Sequence, residues 1–181
     1  DDNDDVADLS DAFPNDPSES ADRDGDGVGD NTDAYPDNPD RQFFLIADAL
    51  AQVIDDALRQ CISNQGQSAV HAGQILTLNC NSAQSLEGIQ AFNQLARFDI
   101  DNIEFANLEP LAALNKLNYL RLAWGNGQIT DLTPLSGLKG LTQLNLEGQQ
   151  VSDVSPLSAL RNLESLSLRY NKIVDASALE N

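Results

Sequence analysis

The sequence predicts an α/β solenoid: short parallel strands along one side, irregular segments along the other, a helical cap before it, and an irregular acidic arm ahead of the cap. Three observations predict this. Pairs of apolar residues two apart recur as Leu76/Leu78, Phe98/Ile100, Leu120/Leu122, Leu144/Leu146 and Leu166/Leu168, at steps of 22, 22, 24 and 22 residues. An amphipathic stretch, residues 41–62, stands directly before them. The first 40 residues hold fourteen Asp and one Glu against Arg23 alone, a local charge of −14 within a total of −19.

The arm comes first in the chain. A segment so acidic and so poor in large apolar residues cannot collapse on a core of its own, because its carboxylates repel one another. It is nevertheless ordered as sequence. Shifted by 22 residues it overlays itself, Asp2 to Pro14 falling on Asp24 to Pro36 with Phe13-Pro14 on Tyr35-Pro36. In the second copy Asp22, Asp24, Asp26, Asp30 and Asp33 occupy positions 1, 3, 5, 9 and 12 of a twelve-residue loop. Gly27 stands at position 6, where the chain turns sharply, and Val28 at position 7 would offer its carbonyl. Oxygen donors at that spacing suit calcium, a hard ion taking six to eight oxygens, and do not suit zinc. The first copy offers Asp2, Asp4, Val6, Asp8 and Asp11 at the matching places, begins too late to supply position 1, and carries Asp5 where the turn glycine would be. Carboxylates about 5 Å apart repel by roughly 3 kcal/mol at an effective dielectric of about 20, so the arm is expected to fold with calcium and to be disordered without it.

These residues resemble the thrombospondin type 3 repeat, whose D-x-D-x-D-G pattern with spaced following acids matches Asp22 to Asp33. The aromatic-proline ends, Ala12-Phe13-Pro14 and Ala34-Tyr35-Pro36, are similar to bacterial versions of that repeat. The resemblance covers residues 1–40 and implies a calcium-stiffened spacer.

After Asp40, a plausible N-cap, apolar residues at Phe43, Ile46, Ala47, Leu50, Val53, Ile54, Ala57, Leu58 and Cys61 follow helical spacing. The expectation is one helix over residues 41–62 that caps the solenoid. The repeats follow over residues 63–181. Besides the L-x-L strand, each keeps an apolar column before it (Leu95, Leu117, Leu141, Leu163) and after it (Leu86, Leu108, Leu132, Val154). Pro134 and Pro156 cannot donate to a ladder and belong on the far side of the unit.

This pattern resembles the leucine-rich repeat, and the 22-residue length with its D-L-x-P-L tail is most similar to the internalin type of bacterial surface proteins. The asparagine usual three residues after the second strand leucine stands at Asn81 and Asn171, with Ile103 and Gln149 in its place elsewhere. An insertion around Trp124-Gly125-Asn126-Gly127 predicts local irregularity. The full expectation is an α/β leucine-rich-repeat solenoid with an N-terminal helical cap, preceded by a calcium-organised arm. Cys61 near the end of the cap helix and Cys80 beside the first strand are well placed for a disulfide, with two buried free thiols as the alternative. A fifth repeat stopping at Asn181 predicts that more repeats, a cap or a partner follow.

Chemistry is excluded more easily than binding. His71 stands in a segment without a nucleophile or carboxylate, and no phosphate loop, zinc pattern or nucleophile elbow occurs, so no enzymatic activity is expected. Ten scattered basic residues argue against nucleic acid, no apolar run is long enough to span a membrane, and any export signal is expected upstream of Asp1. Strand alternation turns Arg97, Asp99, Asp101, Tyr119, Arg121, Gln143, Asn145, Glu147 and Arg169 to the concave side. Tyr119, Arg121, Trp124, Asn145 and Arg169 are the candidate partner-binding residues, since aromatic and arginine side chains anchor interfaces. Trp124 has an equal alternative role, covering the core where the insertion loosens the repeat. The expected partner is a protein or glycan at a bacterial cell surface, or a second copy of the chain.

Overall fold

The computed structural model describes residues 6, 10–25, 27–38, 43–126 and 128–179. The chain separates into two compact units, residues 1–45 and 46–181. In the first, residues 10–25 and 27–38 run through turns and bends. The turns are closed by backbone bonds such as Ala12 N to Ser20 O (3.2 Å) and Asp30 N to Ala21 O (2.8 Å). Phe44 meets the edge of Tyr35 with ring centroids 5.7 Å apart.

The second unit opens on two helices where one was expected: α1 (Ile46–Gln52) and α2 (Asp56–Gln65). Residues 41 and 42, where the predicted helix begins, lie outside the described residues. The break has a local cause. Asp55 is extended and caps α2, its Oδ1 accepting from Leu58 N at 2.7 Å. Its Oδ2 accepts from Gln84 N at 2.8 Å, so one carboxylate ties the helix start to the first repeat. Arg59 closes the end of α1, its Nε donating to Val53 O at 2.9 Å and to Leu50 O at 3.2 Å, the latter also accepting from Val53 N. Splitting the helix lets Ala49, Val53, Leu58 and Ile62 all reach the core.

Among the described residues five strands follow: β1 (Thr77–Cys80), β2 (Arg97–Ile103), β3 (Tyr119–Gly125), β4 (Gln143–Asn145) and β5 (Ser165–Ser167). They form one parallel sheet in sequence order. Register aligns Leu78, Phe98, Leu120, Leu144 and Leu166 in one row, and Cys80, Ile100 and Leu122 in the next. The first pair is therefore Leu78/Cys80, not Leu76/Leu78, and the first step is 20 residues. Leu76 is 54% exposed, whereas Cys80 is 2% exposed and takes the second core place. The reason is covalent: Cys80 is bonded to Cys61 of α2, with Cα atoms 5.7 Å apart, so the bridge occupies the layer between cap and sheet. The disulfide expected from sequence is present.

The same correction moves the ladder position from Asn81 to Ala83, which is buried and bridges to Ile103. Asn171 does act as the ladder residue. Its Nδ2 donates to Leu146 O (2.7 Å) and Leu168 O (3.0 Å), and its Oδ1 accepts from Val151 N (3.0 Å). Around the insertion the ladder lengthens: β2 and β3 run seven residues each, Ile103 pairing with Gly125. A Cβ on Gly125 would fall 2.2 Å from Ile103 O, so only glycine permits that approach.

On the far side the D-L-x-P-L segments and their counterpart Asn107–Leu111 form short 3-10 helices, Glu109–Leu111, Thr133–Leu135 and Ser155–Ala159, with Pro at the first or second position. Their entry is held by Asp131 accepting from Thr133 N and Asp153 from Ser155 N, each at 2.8 Å. Leu86, Leu108, Leu132 and Val154 are buried as one column. In the last repeat Leu163, Leu166 and Leu168 are only half-buried.

Candidate functional site

The acidic loop is built from backbone amides turned toward carboxylates. Asp22 Oδ1 accepts from Gly25 N at 2.7 Å and Oδ2 from Gly27 N at 3.0 Å, so position 1 organises the start of the loop. Gly25 (φ +78°) and Gly27 (φ +90°) are left-handed with open space around them, so it is backbone freedom that demands glycine there. Asp30 Oδ1 accepts from Arg23 N at 2.9 Å. The Arg23 guanidinium pairs with Asp30 (3.4 Å) and Asp37 (3.0 Å), and the hydrogen bond to Asp37 raises its pKa. Asp33 and Asp11 are buried and close matching turns, accepting from Tyr35 N at 2.8 Å and Phe13 N at 2.7 Å. The two copies thus share one fold at position 12. Asp24, Val28 and Val6 are half-buried; Asp26, Asp2, Asp4 and Asp8 lie outside the described residues. Among the described residues no three carboxylates converge on one point.

A residue that sequence reasoning missed lies against this loop. Glu19 is 4% exposed, and its Oε2 accepts from Asn31 N at 3.0 Å. The signal available was its singularity, the one Glu among fourteen Asp in the first 40 residues.

On the solenoid, register brings Tyr119, Arg121 and Asn145 together on adjacent strands. Arg121 bridges two carboxylates, Asp99 at 2.7 Å and Asp101 at 2.8 Å. Hydrogen bonds to Asp101 and then Asp99 raise its pKa, so it is charged at every accessible pH. The Arg97 guanidinium lies 3.3 Å over the centre of the Tyr119 ring, and the Tyr119 hydroxyl is 3.4 Å from Asp99 Oδ2. Burial, and after it the charge of Asp99, pushes the Tyr119 phenol up. The concave face at β2 and β3 is therefore a pre-ordered lattice whose charges already answer one another. Asn145 turns its Oδ1 to Glu147 N at 2.9 Å, and Ser167 Oγ donates to Glu147 Oε1 at 2.6 Å.

From the second repeat onward, a second feature appears two residues after the second core position. Asn102 (φ 48°), Trp124 (φ 60°), Gly148 (φ 77°) and Tyr170 (φ 58°) hold one place in successive repeats, all left-handed. Asn and Gly adopt that conformation cheaply; Trp and Tyr do so at a cost on the order of 1 kcal/mol each. Trp124 is 46% exposed and Tyr170 74%, with ring centroids 5.9 Å apart. A Cβ on Gly148 would sit in ordinary contact with the Trp124 ring, at 3.4 Å, so it is the left-handed backbone that favours glycine there. Arg169 is exposed beside it.

A family model of leucine-rich repeats matches residues 115–159 and 139–181. Among curated proteins no sequence matches. Of solved structures, an internalin (inlF) from Listeria monocytogenes is similar at 23% identity and a TM-score of 0.54, over 72% of this chain and 48% of that one. An internalin C2 of the same organism shows 25% identity, a TM-score of 0.41 and coverage of 74% and 92%. A leucine-rich-repeat protein of Leptospira interrogans shows 28% identity and a TM-score of 0.43, over 48% of this chain and 22% of that one. The chain thus spans about half the length of the first of these. Parallel five-strand register, repeat-matched sequence and the fold shared with an internalin together make the second unit a leucine-rich-repeat solenoid with a helical cap.

Proposed function

We propose that the chain is a non-enzymatic extracellular interaction module of a bacterial surface, in which the solenoid captures a protein or glycan and the acidic arm binds calcium. Leucine-rich-repeat domains commonly serve protein interaction, and no described helix is long and apolar enough to cross a membrane. The observation that carries the binding reading is the concave face from Arg97 to Asn145, ordered before any partner arrives, with Trp124 and Tyr170 exposed at its rim. Side chains fixed in advance lose little freedom on binding, which favours affinity. The test is capture by arrays of extracellular protein domains and of glycans, in calcium-containing buffer. Tyr119→Ala, Arg121→Gln and Trp124→Gly combined should abolish any signal the native chain gives; an unchanged signal would move the site elsewhere.

For the arm, the residues fit calcium on three counts. The donors are oxygens only, Gly25 and Gly27 supply the sharp turns, and Asp22 gathers the amides of the loop. Asp22, Asp24, Asp26, Val28, Asp30 and Asp33 would hold one ion, and Asp2, Asp4, Val6, Asp8 and Asp11 a second. The ion would supply the positive charge that the segment lacks.

A second reading rests on the last repeat. Leu157, Leu160, Leu163, Leu166, Ala178 and Leu179 line a cleft there, an apolar layer that a second copy could cover in a surface fibre. Light scattering with and without calcium separates the readings, because only self-association gives ordered oligomers without a foreign partner.

A further inference from the structure

Glu19 is a buried carboxylate, and no cation described in its unit is paired with it. It is 4% exposed, and its Oε1 is enclosed without any hydrogen-bond partner. Arg23, the basic residue described in the same unit, is committed to Asp30 and Asp37. Burying a carboxylate with one oxygen unsatisfied is unfavourable unless a cation compensates it.

The carboxylate is also seated on the twelve-residue loop itself. A Cβ at Gly29 would fall 2.0 Å from Glu19 Oε2 and 2.3 Å from its Cδ. Gly25 and Gly27 are glycines because the backbone is left-handed in open space, whereas Gly29 has no such φ and is a glycine because Glu19 fills the room. Two more bonds lay the preceding segment along this limb: Asn31 Nδ2 donates to Ser18 O and Asp30 N to Ala21 O, each at 2.8 Å. The loop is thus shaped to receive a carboxylate from outside its own twelve residues.

We propose that Glu19 is a metal-binding residue of the loop at residues 22–33: Oε2 holds the Gly29–Asn31 limb, and Oε1 gives an anionic oxygen to the calcium ion. This rests on the reading of the arm as calcium-binding. Its chemistry is that of a hard divalent cation, since every donor is an oxygen and removing one charged donor lowers affinity.

The experiment is calorimetric titration of the full, chelator-stripped chain with calcium chloride, comparing the native protein with Glu19→Gln, Gly29→Ala and Asp22→Asn. Glutamine keeps the size of the side chain and an oxygen to accept from Asn31 N, so a merely structural clasp would survive Glu19→Gln. The charge would not. The expected result is affinity lower by roughly 10-fold or more at one site for Glu19→Gln. A similar loss is expected for Gly29→Ala, which evicts the carboxylate without removing it. Native binding that Asp22→Asn weakens but Glu19→Gln and Gly29→Ala leave intact would overturn the inference and spare the calcium reading. No heat from the native chain would overturn both.

Discussion

Reducing the Cys61–Cys80 bridge tests what holds the cap to the solenoid. The bond joins residues 19 apart, tying α2 to β1. Opening a loop of about 20 residues returns roughly 11 cal/mol/K of entropy to the unfolded chain, or about 3 kcal/mol at 25 °C. Reduction leaves two thiols of nearly the same shape in place, so the packing of Cys80 against the row of Ile100 and Leu122 should survive, and the loss should be this closure alone. With a urea slope of about 2 kcal/mol per molar, the unfolding midpoint should fall by about 1.5 M. The assay is urea unfolding of the full chain by far-ultraviolet circular dichroism, with and without reductant, checking that the slope is unchanged. Cys80→Ser in reduced protein should cost about 1–3 kcal/mol more, because the hydroxyl enters a core place without a partner. A midpoint that moves by less than about 0.3 M on reduction would refute the reasoning, since the cap would then not unfold together with the repeats.

Three further outcomes follow from single features. Gly88→Ala should destabilise by about 2–4 kcal/mol in the same assay, because Gly88 is left-handed (φ +93°) and a Cβ there meets Gln52 O at 2.1 Å. Asp131, Asp153 and Asp175 are held below the usual value of 3.8, Asp131 chiefly by the Thr133 side chain, Asp153 and Asp175 by the backbone amides of Ser155 and Ser177. Carboxyl groups depressed on folding contribute stability above their unfolded pKa and lose it as pH falls through the folded one. Thermal stability should therefore decline below about pH 4, and replacing all three with Asn should flatten that acid limb. Trp124→Gly and Tyr170→Gly should leave stability unchanged or raise it by about 1 kcal/mol, relieving the left-handed strain, while capture of a partner is lost.

Much of the solenoid was legible because leucine columns carry the period directly: Leu86, Leu108, Leu132 and Val154 lie buried where spacing puts them. The first strand sits two residues from its expected alignment because Cys80 is a core residue as well as a disulfide partner, whereas Leu76, which the spacing favours, is exposed. The helix break was hidden for a similar reason. Asp55 fits the polar face of one long helix as well as the cap of a second, and only the amide of Gln84, 29 residues away, decides between them. On the arm the repeating acids were visible, but Glu19 is defined by the room left at Gly29, a relation across ten residues that periodicity does not express. On the concave face the residue types were readable. That Arg121 would be spent on Asp99 and Asp101, and that Arg97 would cover Tyr119, follows only from register.

The left-handed column at Asn102, Trp124, Gly148 and Tyr170 gives this solenoid more than two kinds of surface. Along a strand, side chains have only the choice between core and concave face. Reversing the sign of φ at this position swings the Cα–Cβ bond out of that alternation. A residue there answers neither to the packing of the leucines nor to the charge lattice of the sheet. Its identity can change from repeat to repeat, from Asn to Trp to Gly to Tyr, while the coil beneath keeps its pitch. The surface can therefore be altered along this column without renegotiating the fold.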